Sequence, residues 1–164
     1  MSQIIIGIDS GVEKTGFSVF EKSSNGSSNF SLLNSGLIKT SIVKTRDKRL
    51  EMIYKELSKI IKDYKPKILV IEQLFFFKNQ KTAIQVSQAQ GISLLLAAQN
   101  NIKVEYLTPL QIKQTVTGYG RADKKAVQKM LKLTLKTTKP IKQDDEADAI
   151  ACGMAYCLLN KNLM

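Results

Sequence analysis

The chain opens on a run of branched apolar residues, Gln3-Ile4-Ile5-Ile6-Gly7-Ile8, that stops at a carboxylate, Asp9. Such a run, without polar alternation, marks a strand covered on both faces of a sheet. Ser10-Gly11 supplies a turn, and Gly16-Phe17-Ser18-Val19-Phe20 alternates apolar with small residues, so the first unit reads as a β-hairpin with an acid at its bend. Residues 21–29 are polar and turn-rich and read as a loop, after which residues 30–38 resume a third antiparallel strand. Leu50, Ile53, Tyr54, Leu57, Ile60 and Ile61 recur at helical spacing, predicting a helix over residues 45–64 that Lys65-Pro66 stops.

Lys67-Ile68-Leu69-Val70-Ile71-Glu72 repeats the opening design, branched apolar residues with an acid at the end. A strand, a helix and a second such strand form a crossover unit, which lays the two strands parallel and brings their carboxyl ends to one edge. Asp9 and Glu72 are therefore expected to share a cleft. Residues 79–100 read as a helix with Ala83, Val86, Ala89, Gln90, Ile92 and Leu95 on its apolar side and Gly91 admitting a close neighbour. Residues 102–106 form a fifth strand. Thr108-Pro109 is the N-cap and first turn of a short helix ended by Gly118-Tyr119-Gly120. Residues 122–136 carry Val127, Met130, Leu131 and Leu135 on one helical face and a lysine ridge, Lys125, Lys129, Lys132 and Lys136, on another. A last helix runs from Gln143 through Leu158. The pattern predicts one α/β domain over residues 1–164, with a five-stranded mixed sheet, three antiparallel strands then two parallel, flanked by helices.

Charge adds a partner to this scaffold. With 25 Lys+Arg against 14 Asp+Glu the net charge is +11, the footprint of a protein that meets a polyanion, nucleic acid first among them. No apolar run approaches the roughly 20 residues that span a bilayer, and the first residues form a strand pattern rather than a signal-peptide core, so the expected compartment is the cytoplasm. Cys152 and Cys157 lie in an apolar helix at a spacing that suits neither zinc nor a redox pair, and read as buried thiols. Histidine is absent, which removes the usual general base and zinc ligand. Hydrolysis here must rest on carboxylates, lysines or hard metal ions.

The acids are placed for such work. Asp145 and Asp148 stand three apart near the start of the last helix and share a face. The helix dipole accounts for an acid in the first turn. It does not account for Asp148, set in Ala147-Asp148-Ala149-Ile150-Ala151, where a charge is costly without compensation. Two acids at strand ends and two on one helix face are what a divalent cation site requires, and Mg²⁺ takes a few carboxylates together with substrate phosphates. Two such ions could serve attacking and leaving oxygens.

In order along the chain, Ile6-Gly7-Ile8-Asp9-Ser10-Gly11 with Thr15-Gly16, Ile71-Glu72-Gln73-Leu74-Phe75 with Lys78-Asn79, Gln88-Ala89-Gln90-Gly91, Gln111-Ile112-Lys113-Gln114-Thr115-Val116 and Asp145-Glu146-Ala147-Asp148-Ala149 resemble the RuvC family of Holliday junction resolvases. The resemblance implies a ribonuclease-H-like fold and a homodimer with two active sites. It also implies Mg²⁺- or Mn²⁺-dependent paired nicking at a four-way DNA junction, leaving 5′-phosphate and 3′-hydroxyl ends. Carried over by position, Asp9, Glu72, Asp145 and Asp148 would be the catalytic metal ligands, with Asp144 the alternative to its neighbour Asp145. Phe75 matches an aromatic that contacts an unpaired base, and Lys113 and Lys124 match lysines near the scissile phosphate. Lys125, from the ridge, joins them as a DNA-contact candidate. A branch-migration motor complex is a further candidate partner. Ser10 departs from the proline more common after the first acid and implies a changed turn. From the residues alone Lys113 and Lys124 read equally as surface charges, the ridge that carries Lys125 reads first as a solvated face, and two of Phe75, Phe76 and Phe77 read as core. A non-catalytic junction binder would share the charge without needing the acids, and an actin-like ATPase would need a second lobe that 164 residues hardly hold.

Overall fold

The computed structural model describes residues 2–23, 29–73, 80–136, 141 and 143–160. The first three strands are β1 (Ser2–Asp9), β2 (Lys14–Ser23) and β3 (Phe30–Lys39), followed by helix α1 (Arg46–Tyr64). Then come β4 (Ile68–Glu72), α2 (Gln80–Gln99), β5 (Lys103–Leu107), α3 (Pro109–Thr117), α4 (Lys124–Leu135) and α5 (Asp144–Leu159). The five strands form one sheet in the order β3-β2-β1-β4-β5. β1 and β2 pair antiparallel, as do β2 and β3, whereas β1–β4 and β4–β5 are parallel. This is the predicted sheet, and the crossover through α1 is what aligns β1 with β4.

The strands divide their side chains between two cores, as the two-residue repeat of a strand requires. Ile5, Phe20, Ile68 and Val70 face α3, α4 and α5, and Ile6, Ile8, Val19, Leu69 and Ile71 face α1 and α2. α5 is the central helix. All but its two ends is buried, from Ala149 through Cys157 without a break, so it behaves as a core helix rather than an amphipathic one. It lies on β1 and β2 at backbone distance. A Cβ on Gly7 would sit 2.7 Å from the Ala149 carbonyl oxygen, and one on Gly16 would sit 1.9 Å from that of Asp145. Ser18 completes the seam, its hydroxyl donating to the Ala149 carbonyl at 2.8 Å. Small residues at alternate strand positions are the device that admits the helix.

The far end of α5 corrects one expectation. Residues 21–23 continue β2 instead of opening a loop, and Lys22 is buried, its ammonium donating to the carbonyl of Cys157 at 2.6 Å and to that of Asn160. A cation there meets the negative end of the helix dipole and satisfies carbonyls left without helical partners. Burial holds the Lys22 pKa below its ordinary value. Two features of α2 also differ from expectation. Among the described residues nothing comes within 4 Å of a Cβ built on Gly91, and Leu95 is exposed, because the packed face runs through Ala89, Ser93, Leu96 and Ala97. The capping of α3 is as predicted: Thr108 and Gln111 form a reciprocal capping box, Pro109 opens the first turn and Gly118 closes the helix at φ 79°. Among the described residues no helix is long and apolar enough to cross a membrane.

Gly16→Ala is expected to push the first turn of α5 off β2. Overpacking of this kind costs about 1–3 kcal/mol, which for a chain of this size lowers Tm by roughly 2–4 °C per kcal/mol. Thermal denaturation followed by circular dichroism checks it, and a Tm equal to that of the wild type would contradict the close contact.

Candidate active site

Asp9 follows Ile5 and Gly7 at alternate positions of β1, and Glu72 follows Ile68 and Val70 in the same way on β4. Both acids therefore point to the α5 side of the sheet. Ile8 is in register with Ile71, so the next residue on each strand, Asp9 and Glu72, ends its strand at the same level. The turn after Asp9 is tight, held by the Thr15 hydroxyl donating to the Gly11 carbonyl at 2.6 Å.

α5 brings the other two acids. Its first turn is tied down on both sides: Ser35 of β3 donates to Glu146 at 2.7 Å, and Lys124 and Gln128 of α4 donate to Asp144 at 3.4 and 3.2 Å. Asp144 and Glu146 are thus occupied in placing the helix, while Asp145 and Asp148 carry its charge toward the strand ends. The electrostatics record the convergence. Burial, then the carboxylates of Asp148, Glu72 and Asp145, push the Asp9 pKa up to about 7, against partial relief from Lys124. Asp145 acts on Asp9, and Asp144 is not among the charges that do. Burial also raises Glu72, with Asp148 adding to the effect and Lys113 and Lys124 opposing it. Asp148 is raised by burial against the pull of the Lys124 ammonium, which lies 3.7 Å from its carboxylate.

Glu72, Asp148, Lys113 and Lys124 line a cavity of about 220 Å³ floored by Ile112, Val127 and Ala151. Larger hollows exist elsewhere, including one of about 510 Å³ bounded by Leu110, Tyr119 and Leu159, but none of the four acids borders it. The chemistry of the lining, not the volume, singles out the smaller one. Among the described residues no three acidic, cysteine or histidine side chains stand close enough to encage an ion by themselves. Coulombic coupling reaches about 4–6 Å, whereas Mg²⁺–oxygen bonds span about 2.0–2.1 Å, so both findings hold together. The donor set itself, carboxylate oxygens only, fits a hard divalent cation that completes its shell with water and phosphate.

Lys113 and Lys124 belong to this cavity. Lys125 does not line it, standing exposed on the outer face of α4, and Phe75 lies outside the described residues. What sequence reasoning missed are the residues that place the acids: Asp123, which caps α4 by accepting from Ala126 N–H at 2.8 Å, and the Ser35–Glu146 and Ser18–Ala149 bonds. Glycine and serine at alternate positions of one strand face were the available signal. Cys152 and Cys157 are buried free thiols, and burial raises both above the ordinary range, which keeps them unreactive.

A mixed sheet of this order, with acids ending its first and fourth strands, defines a ribonuclease-H-like domain. The family model described as crossover junction endodeoxyribonuclease RuvC matches residues 5–156. A protein of that name from Caldicellulosiruptor saccharolyticus is 44% identical over 160 residues, covering 98% of this chain and 95% of the relative. One from Thermosipho melanesiensis is 45% identical over 154 residues, covering 94% and 95%. The structure of T. thermophilus RuvC in complex with Holliday junction substrate aligns with a TM-score of 0.88 at 25% identity, over 97% of this chain and 95% of that one. The chain belongs to the RuvC family of crossover junction endodeoxyribonucleases.

The raised Asp9 pKa sets a pH dependence. Between its ordinary value of 3.8 and about 7 the folded protein holds a proton that the unfolded chain has released. Stability therefore falls as pH rises through that window, by on the order of a few kcal/mol. Metal-free protein is expected to melt at a lower temperature at pH 8 than at pH 5, with Asp9→Asn shrinking the difference. Mn²⁺ should raise Tm more at pH 8, where protons no longer compete for the carboxylates. Melts across pH with and without the ion check both.

Proposed function

We propose that this chain is a single nuclease domain spanning residues 1–164 that resolves four-way DNA junctions, with Asp9, Glu72, Asp145 and Asp148 holding the divalent cations its chemistry uses. The observation that carries this reading is the mutual electrostatic coupling of four acids, drawn from two strand ends and one helix, in a protein of net charge +11. A polyanion is attracted by the body and meets a cluster of carboxylates where α5 crosses the sheet. Mg²⁺, with Mn²⁺ as a substitute, is the ion that suits an all-oxygen site, and two ions would serve the two oxygens exchanged at phosphorus. When bound, such ions supply Lewis-acid activation of water and offset the charge that gathers on the phosphate.

The protein's own groups do the rest. Lys113 and Lys124 hold positive charge at the cavity wall, where a non-bridging phosphate oxygen can accept from them. The Ile112, Val127 and Ala151 floor excludes water from one side and strengthens those interactions. Hydrolysis bonds a water oxygen to phosphorus and breaks the bond to O3′, leaving a 5′-phosphate and a 3′-hydroxyl. Lys125 and the lysine ridge of α4 would meet the backbone of an arm, and Phe75 an unpaired base. Two nicks on opposed strands require two such sites, hence a homodimer. α2 exposes Ile84, Gly91 and Leu95 along one helical line, a surface suited to a second copy. Work in the cytoplasm accords with two free thiols, and a branch-migration motor is a partner that the RuvC resemblance suggests.

Asp9→Asn and Asp148→Asn are each expected to abolish cutting of a synthetic four-way junction in Mg²⁺, by at least a hundredfold, while binding of the junction is kept or strengthened. Gel cleavage and anisotropy titrations on the same preparations separate the two effects, and nicking at wild-type rate by both variants would overturn the ligand assignment. Leu95→Asp is expected to shift sedimentation from dimer to monomer.

A further inference from the structure

The turn joining β3 to α1 runs against the usual chemistry of turns. The Lys44 amide donates to the Ser41 carbonyl at 3.2 Å, closing a β-turn whose corners are Ile42 and Val43. Such corners favour Gly, Pro, Asn and Asp. Here both are β-branched aliphatics, 75% and 88% exposed, beyond any other large hydrophobic side chain among the described residues. One exposed aliphatic needs no explanation, but two at the corners of one hydrogen-bonded turn form a small apolar prow.

That prow is fixed in place. The Thr40 amide donates to the Glu13 carbonyl at 3.0 Å and the Thr40 hydroxyl to the Val12 carbonyl at 2.6 Å, while Arg49 Nε donates to the same hydroxyl at 2.9 Å. Val12 and Glu13 belong to the connection that leaves Asp9, so the turn stands on the acid-bearing edge of the sheet. It is also ringed by cations: Lys39, which pairs across the strands with Lys14, then Lys44, Arg46, Lys48 and Arg49. Lys48 is engaged with Glu51, and Lys39, Lys44 and Arg46 form no ion pair among the described residues.

We infer that this turn is a second DNA contact. Lys39, Lys44 and Arg46 take phosphates of a duplex arm, and Ile42 and Val43 press into its minor groove against sugar and base edges, as apolar side chains do where proteins bend or grip that groove. The charge complement favours nucleic acid over a protein partner, and the anchoring to the Asp9 connection places an arm where a strand already lies near the acids. The inference rests on the junction-nuclease reading and specifies which surface holds the arm.

The test is the affinity of full-length protein for a synthetic four-way junction without divalent metal, measured across salt concentrations. Ile42→Ser with Val43→Ser should weaken binding about tenfold and leave the salt slope unchanged, since no charge is removed. Serine is a turn former, so the fold is retained, and circular dichroism verifies that. Lys39→Gln with Lys44→Gln should reduce the log–log salt slope by about two. Affinity of the serine pair within twofold of wild type, or an unchanged slope in the glutamine pair, overturns the inference while the nuclease reading stands. A changed sedimentation of the serine pair at unchanged DNA affinity also overturns it, by assigning the turn to a protein contact. Failure of the wild type to bind the junction sinks the reading beneath it.

Discussion

Everything at the candidate site depends on how near a helix can come to the backbone of a sheet. α5 touches β1 and β2 at distances where a methyl group has no room, at Gly16 under the first turn above all and at Gly7. That approach fixes the height of Asp145 and Asp148 over the strand ends, where both act on Asp9. The buried Ser18 hydroxyl and the Lys22 ammonium tie down the middle and the end of the same helix. Rigid placement of side chains on regular elements is how a fold holds a reactive cluster against its own repulsion.

Repulsion is the opposing force. Burial first, and neighbouring carboxylates after it, raise the pKa values of Asp9, Glu72 and Asp148, and the folded state bears that cost at neutral pH. Lys124 relieves part of it, reaching Asp144 at 3.4 Å and Asp148 at 3.7 Å, and its own pKa is raised chiefly by Asp148. The pair is half exposed, so its contribution to stability is small, and its value is local. Of the four acids at the start of α5, Asp144 and Glu146 are hydrogen-bonded to neighbouring elements while Asp145 and Asp148 act on Asp9, a division of labour that composition alone does not reveal. It emerges only once Ser35 and Gln128 are seen on either side of the helix.

Most of the architecture was legible because it is written in local period. The branched runs ending at Asp9 and Glu72, the helical spacing of α1 and the Thr108-Pro109 cap each declare themselves within a few residues, and the crossover rule converts order into a parallel pair. What was not legible depends on contacts between distant segments. Lys22 sits in a polar stretch that looks like a loop, and its role as a cap for α5 is set 135 residues away. Gly91 was the glycine expected to admit a neighbour, yet it has none within 4 Å among the described residues, whereas Gly7 meets a helix. Leu95 fits the helical repeat of α2 but falls just off the packed face. Asp144 and Asp145 differ in their surroundings, which spacing alone does not give: Asp144 accepts from Lys124 and Gln128 of α4, and Asp145 acts on Asp9.

The absence of histidine gives the cluster a further property. Among the clustered acids Asp9 is brought to about 7, so a carboxylate occupies the range that an imidazole would otherwise cover. The same oxygens that would hold a cation hold a proton near neutrality, and the two compete. Cation binding to this site must then release a proton at moderately acidic pH and none in alkali, a linkage produced by burial and like charge alone. A basic exterior and an acidic, proton-holding centre are therefore one electrostatic design: the first would gather phosphate from a distance, and the second would stay partly neutral until a cation balanced it.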